Sequence, residues 1–286
     1  MTDRRSLPAE TRVDSVTLRV RSARPLVEFY EDVVGLRASR NGDRVNLSAG
    51  ESPPLLVLCE DRDAPERERD AAGLYHVAYR VPTRAALGDA LRRVERSDHP
   101  LAGAADHAAS EALYLSDPEG NGVEIYCDRP RDEWEHTDSG EVCLPGDPLD
   151  LDDLRHAANG DARDALPDGS DVGHVHLETT DLDESTRFYR DLLGFRLRRR
   201  KPRATFLAGG DYHHHLAVNT RAGRTTPYRT DALGLDSVTF AVPREAYDAL
   251  RERVRESDVD ADELGDGIRV ADPDGIPIVV TPDDAD

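Results

Sequence analysis

Lysine is almost missing from this chain. Lys201 is the only one, and aspartate plus glutamate total 58 against 37 lysines and arginines, a formal charge of -21. Such a chain has no basic excess with which to displace the counterions of a polyphosphate, so nucleic-acid binding is disfavoured. Long apolar runs are missing too. None approaches the ~18 residues of a membrane-spanning helix, and no membrane partner is expected. The N-terminus, MTDRRSLPAETR, has no apolar segment, so no secretory signal is expected. The three cysteines, Cys59, Cys127 and Cys143, form no C-x-x-C pair. They read as buried or incidental thiols, and the odd count points to a reducing, cytoplasmic setting.

What is present fits a soluble globular protein of about two domains, with 38% hydrophobic and 33% charged residues over 286 positions. The acid-rich, lysine-poor composition resembles that of halophilic proteins, in which surface charge is a solubility lever. It concerns the solvent rather than the chemistry.

The chain repeats itself. VDSVTLRVRSARPLVEFYEDVVGL at Val13 returns as VGHVHLETTDLDESTRFYRDLLGF at Val172. Each copy predicts an alternating strand, then a helix carrying Phe-Tyr and stopping at Gly35 or Gly194. GLYHVAYRVPTRAALGDALRRV at Gly73 returns as GLDSVTFAVPREAYDALRERV at Gly234, a strand followed by an amphipathic helix. Each of these ends on an Asp-Pro-acidic-Gly turn between strands, DPEGNGVEIY at Asp117 and DPDGIPIVVT at Asp272. The reading is α+β, with four βαβββ repeats over 13–60, 73–127, 172–220 and 234–281. Repeats one and two make a domain over 13–127, and repeats three and four another over 172–282. Between them, 128–171 is an acidic connection rich in Asp, Pro and Gly, with one short helix near Leu149 to Ala158. The first dozen residues and the terminal PDDAD are expected to be loose.

Four such repeats, with Phe-Tyr-x-x-x-x-Gly helices and Asp-Pro-x-Gly-x-x-x-Glu endings, resemble the vicinal oxygen chelate superfamily. It includes glyoxalases, fosfomycin and bleomycin resistance proteins, and extradiol ring-cleaving dioxygenases. The four-repeat length and several local motifs resemble its catechol 2,3-dioxygenase branch. The resemblance implies two domains, each a curved mixed sheet with helices outside. It also implies metal ligands near the start of a repeat's first strand and a Glu in its last strand. His76 (LYHVAY) and Glu124 (GNGVEIY) hold those places in repeat two, and His174 (GHVHL) holds the first-strand place in repeat three. Ser15, Ser237 and Val279 stand at the other places and supply nothing. Repeats two and three are therefore expected to pair around one metal. His176, two residues on and on the same strand face, is the rival to His174.

Two neutral imidazoles and a carboxylate leave open positions for small oxygen ligands and suit Fe(II) first, with Mn(II), Zn or Ni accommodated by the same donors. Around this set the resemblance implies further roles. His214, in the HHHLA run of His213, His214 and His215, matches the branch's acid–base His-x-x-Ala pattern. Strand alternation would let only one face of that run see a cavity. Tyr114, three residues before Asp117, matches an active-site Tyr. His107, in a His-x-x-Ser pattern, matches a substrate-contacting His, although its interval to the Tyr is shorter than usual. His99, His136 and His156 read as solvated, and Trp134 as an anchor for the connection. The implied activity is extradiol cleavage of a catechol-like diol with O2. The alternatives are a glyoxalase-type isomerase and a non-enzymatic resistance-type binder. A homodimer is compatible with the edge pairing common in the superfamily.

Overall fold

Alternating apolar positions set the strands, and the computed structural model, which describes residues 6–159 and 164–283, arranges them in four strand–helix–three-strand repeats. Repeat one holds β1 (Arg12–Val20), α1 (Ala23–Phe29), β2 (Arg37–Asn41), β3 (Arg44–Ser48) and β4 (Leu56–Glu60). Repeat two holds β5 (Gly73–Arg80), α2 (Arg84–Arg96), β6 (Gly103–Asp106), β7 (Ser110–Ser116) and β8 (Gly122–Asp128). The connection contributes β9 (Asp147–Pro148) and the expected short helix, α3 (Leu151–Ala157). Repeat three holds β10 (Asp171–Glu178), α4 (Leu182–Arg187), β11 (Arg196–Lys201), β12 (Ala204–Ala208) and β13 (Leu216–Asn219). Repeat four holds β14 (Gly234–Pro243), α5 (Arg244–Arg255), β15 (Ala261–Glu263), β16 (Ile268–Ala271) and β17 (Pro277–Asp283).

In repeats two, three and four the first strand pairs in parallel with the last, and the remaining strands follow antiparallel. The sheets are therefore mixed, and the fold is α+β as expected. No helix among the described residues is long and apolar enough to cross a membrane.

The chain forms two compact units. The amino-half unit contains 19–63, 76–159 and 164–173. The carboxy-half unit contains 6–18, 64–75 and 174–283.

Each unit is held together internally by the same device, which joins two motifs that look independent in sequence. After α1 and α4 the helix widens into a π-helical turn at the Phe-Tyr pair, Tyr30–Val34 and Phe188–Leu192. Gly35 and Gly194 then leave in the left-handed region, at φ 91° and 88°. The tyrosine reaches the Asp-Pro-acidic-Gly turn of the following repeat. Tyr30 donates to Asp117 at 3.2 Å, and Tyr189 donates to Asp272 at 2.8 Å. An arginine of the amphipathic helix covers the open carbonyls of each π turn. Arg93 donates to Val33 and Val34, and Arg253 to Leu192 and Leu193. The acidic third residue of each turn accepts backbone N–H groups leading into the partner helix. Glu119 accepts from Arg21 and Ser22, and Asp274 accepts from Thr180. The buried contacts among these, Tyr30 to Asp117, Tyr189 to Asp272 and Arg93 to Val33 and Val34, are costly to break singly.

Burial raises both turn aspartates above their ordinary value. Asp272 is pushed up to about 7, mainly by burial, against the lowering effect of the Ile276 N–H and the Tyr189 hydroxyl. Between about pH 4 and pH 7 the folded carboxyl keeps a proton that the unfolded chain has lost. Its contribution therefore declines as pH rises through that window and stays lost above it, by a few kcal/mol in all. Denaturant unfolding at pH 5 and pH 8 should show a smaller pH-dependent loss in Asp272→Asn than in the parent chain. Equal losses in both would assign the dependence to other groups.

The amino-terminal stretch departs from expectation. Residues 1–5 and 284–286 lie outside the described residues, but Leu7 is buried and donates to the Gly194 carbonyl at 2.7 Å. Gly209 and Gly210 accept the chain closely. A Cβ on either would lie 2.5 Å from Pro8 or Ala9. A segment polar in composition is thus ordered by backbone bonding and two glycines, which the hydropathy pattern does not register.

Candidate active site

In the amino-half unit, strand register gathers the predicted residues of repeat two. Ala78 and Tyr114 each stand opposite Glu124, from the parallel β5–β8 and antiparallel β7–β8 pairings. His76 lies two residues before Ala78 and so shares its face. His76 Nε2 is 2.9 Å from Glu124 Oε2, and both side chains are buried. The Tyr114 ring lies 5.8 Å from the His76 ring.

His107 joins them. It opens the tight β6–β7 turn, in which Ala108 takes a positive φ of 63° and Asp106 accepts the Ala108 N–H. That left-handed residue absorbs the short interval between His107 and Tyr114. His107 Nδ1 lies 2.6 Å from the Pro145 carbonyl, and its Nε2 lies 2.7 Å from the Tyr114 hydroxyl. A carbonyl only accepts, so Nδ1 carries the proton and Nε2 accepts from Tyr114. The tyrosine is thereby oriented by a histidine that the connection itself holds in place.

In the carboxy-half unit, β10 presents His174, His176 and Glu178 at alternate positions, hence on one face. His174 is buried, and its ring lies 4.1 Å from that of His214 and 5.1 Å from that of His176. His176 Nε2 and His214 Nε2 are 2.9 Å apart, and His214 Nδ1 is 2.6 Å from His213 Nδ1. The histidine run is not in a strand. It lies in the turn before β13, so strand alternation does not separate the three rings. All three are buried. His213 and His214 touch, whereas His215 accepts the Gly209 N–H and serves the hairpin. This corrects the expectation that only one face of the run is usable.

Two further residues escaped sequence reasoning. An ideal Cβ on Gly173 would fall 1.8 Å from the Tyr126 hydroxyl oxygen, so Tyr126 fills the space that a side chain would take. The glycine before His174 is thus a packing requirement, and only the Gly-His pair hinted at it. Tyr75, the residue before His76, stacks on His176 at 6.4 Å.

The remaining histidines are peripheral. His136 and His156 are exposed, and His99 is partly buried against Phe29 and the Ser116 carbonyl. Trp134 is buried and donates to the Arg129 carbonyl, anchoring the connection as expected.

Comparison with known proteins decides the family. The sequence profile described as Glyoxalase/Bleomycin resistance protein/Dioxygenase superfamily matches residues 12–125 and 171–280. The chain belongs to this superfamily. Within the glyoxalase/bleomycin resistance/dioxygenase superfamily, it is 38% identical over 275 residues to a protein of Bacillus subtilis (strain 168) named catechol-2,3-dioxygenase, covering 94% of this chain and 96% of that one. A crystal structure from Bacillus subtilis subsp. subtilis str. 168 superposes with TM-score 0.64 at 15% identity, over 96% of this chain and 86% of that one. Glyoxalase I from Zea mays superposes with TM-score 0.59 at 15% identity, over 96% and 92%. These two likenesses show the superfamily's fold alone. The vicinal oxygen chelate architecture, two domains of curved mixed sheets, is thereby that of this chain.

Proposed function

We propose that the protein is a metal-dependent extradiol dioxygenase acting on a catechol-like diol. The observation that carries this reading is the buried His76–Glu124 contact, with Tyr114 on the same sheet face and His107 bonded to Tyr114 from the adjoining turn. Donor atoms 2.9 Å apart suit neighbouring ligands of one ion, since tetrahedral or octahedral ligand edges are about 3 Å. His76 and Glu124 therefore fit as neighbouring ligands of one metal, and His174, at the first-strand place of repeat three, is proposed as the third. His176, whose Nε2 contacts His214 Nε2, is the alternative third ligand. Fe(II) is preferred, and Mn(II), Zn or Ni suit the same donors.

Two contacts support drawing ligands from repeats two and three. Tyr75 of repeat two stacks on His176 of repeat three, and Arg80 of repeat two bonds Asp171 of repeat three at 3.0 Å.

The metal, when bound, would supply a Lewis acid that lowers the pKa of a diol hydroxyl and a single centre for both reactants. The chain's own groups do the rest. Tyr114, fixed by its bond to His107, is placed to meet a substrate oxygen. His214 has both ring nitrogens in contact with imidazoles, so a proton taken at one nitrogen can be passed on at the other. Burial of His76, Glu124, His174 and His214 excludes bulk water. The 38% identity to the B. subtilis relative supports the oxygenase over the isomerase and the resistance-type binder.

The test is metal analysis of anaerobically purified protein, followed by O2 uptake with Fe(II) and a panel of catechols. Yellow ring-fission products with stoichiometric O2 uptake are expected. Bound metal with no O2 uptake across the panel would overturn the dioxygenase reading. Tyr114→Phe should lower kcat by roughly 10- to 100-fold in steady-state assays, as loss of one hydrogen bond to a charged oxygen does. His107→Ala should fall in the same direction but less, because it acts through Tyr114. An unchanged kcat in Tyr114→Phe would remove the tyrosine from the mechanism.

A further inference from the structure

The chain's only lysine lies on the same sheet face as His176. The register of β10 to β13 makes this explicit. His176 stands opposite Ala217, Ala217 opposite Phe206, and Phe206 opposite Arg199. The next row on this face runs from Glu178 through Asn219 and Ala204 to Lys201. Lys201 leans back toward the histidines. Its Nζ sits 5.6 Å from the centre of the Phe206 ring, and that ring is 5.1 Å from His214 and 5.7 Å from His176. Only one aromatic ring separates the ammonium from the imidazoles.

The surroundings are cationic in a protein of charge -21. Six of the eight residues from Arg196 to Arg203 are basic. Arg196 and Arg200 form ion pairs with Asp211 and Asp183, and Arg198 donates to the Asp211 and Tyr212 carbonyls. Glu178, the acidic member of the Lys201 row, is itself taken by two guanidiniums. Arg224 binds it through two bonds at 2.9 and 3.0 Å, and Arg67 approaches it at 3.3 Å. Burial first, then Arg221 and Arg199, lowers the Lys201 ammonium below its ordinary value. Elsewhere the chain uses arginine for cations placed over rings, as in Arg131 over Trp134 and Arg244 over Tyr247. A lysine offers instead a compact charge on a flexible stem, suited to meeting a small anion end-on.

We infer that Lys201, backed by Arg199 and reached past Phe206, binds an anionic substituent of the substrate, so that the preferred diol is a catechol carrying a carboxylate side chain. This rests on the dioxygenase reading and names its substrate class. A local positive field is also what lets a strongly acidic protein draw in an anion.

The test compares 3,4-dihydroxyphenylacetate with 4-methylcatechol in the parent chain, Lys201→Met and Lys201→Arg. The parent should favour the acid in kcat/KM. Lys201→Met should raise KM for the acid about tenfold and leave 4-methylcatechol within about twofold, as expected for loss of one partly screened charge contact. Lys201→Arg should restore part of the difference. Calorimetric binding of phenylacetate, which has no diol, reads the same contact without turnover. It should be about tenfold weaker in Lys201→Met. Equal losses for both diols, or phenylacetate binding that is absent from the parent or unchanged by Lys201→Met, would overturn the inference. Phenylacetate binding that depends on Lys201, with no diol cleaved, would fail the dioxygenase reading while keeping the anion site.

Discussion

Exchange of Glu124 for glutamine is expected to remove the metal and to cut ring cleavage by at least about 100-fold. Groups that merely orient metal ligands already cost 10- to 100-fold when changed, so loss of an anionic ligand should cost no less. Glutamine has nearly the same volume as glutamate. The β7–β8 ladder, which runs from Ser110 opposite Asp128 to Ser116 opposite Gly122, does not depend on this side chain. The fold should therefore survive, and the melting temperature of metal-free Glu124→Gln should stay close to that of the metal-free parent. His76→Ala should lose metal in the same way, but also some stability, because it leaves a space in a buried place. The measurement is metal per chain by elemental analysis, alongside O2 uptake and thermal unfolding. Full metal occupancy in Glu124→Gln would show that Glu124 is not a ligand, and the assignment of His76 would fall with it.

The second large effect is expected from one methyl group. Gly173→Ala places a Cβ 1.8 Å from the Tyr126 hydroxyl oxygen and 2.8 Å from its ring carbon Cζ. Neither distance is tolerable, and Tyr126 is fully buried with Ala78 and Ala112 around it. The ring or the strand must move. Overpacking of this kind costs about 1–3 kcal/mol, and the displaced strand residue is the neighbour of His174. Stability measured by denaturant should fall by that amount, and metal affinity should fall with it. The double variant Gly173→Ala, Tyr126→Phe tests the cause. Removing the hydroxyl eliminates the 1.8 Å clash and leaves the 2.8 Å one, so it should recover part of the loss. A double variant no better than Gly173→Ala alone would show that Tyr126 is not the obstacle.

The amino-acid sequence by itself determined the four repeats, their α+β character and the glycine stops at Gly35 and Gly194. These are local matters of periodicity and backbone conformation, and each is written in a few consecutive residues. It also singled out His76, Glu124, Tyr114, His107, His174 and His214, because their types and spacings match a family pattern. Tertiary structure alone decided which side chains meet within each unit. The His107 and Tyr114 side chains bond because Ala108 turns the hairpin and Pro145, 38 residues from His107, presents a carbonyl. The Phe-Tyr helix and the Asp-Pro-acidic-Gly turn prove to be two halves of one contact, with Asp117 87 residues from Tyr30. His213 and His214 share a site because the run is a turn, where strand alternation does not apply. The reason is common to all of these. A side chain's neighbours across a sheet are set by register and by loop geometry, which join distant residues. The local pattern specifies which face a residue occupies, and does not specify what stands opposite.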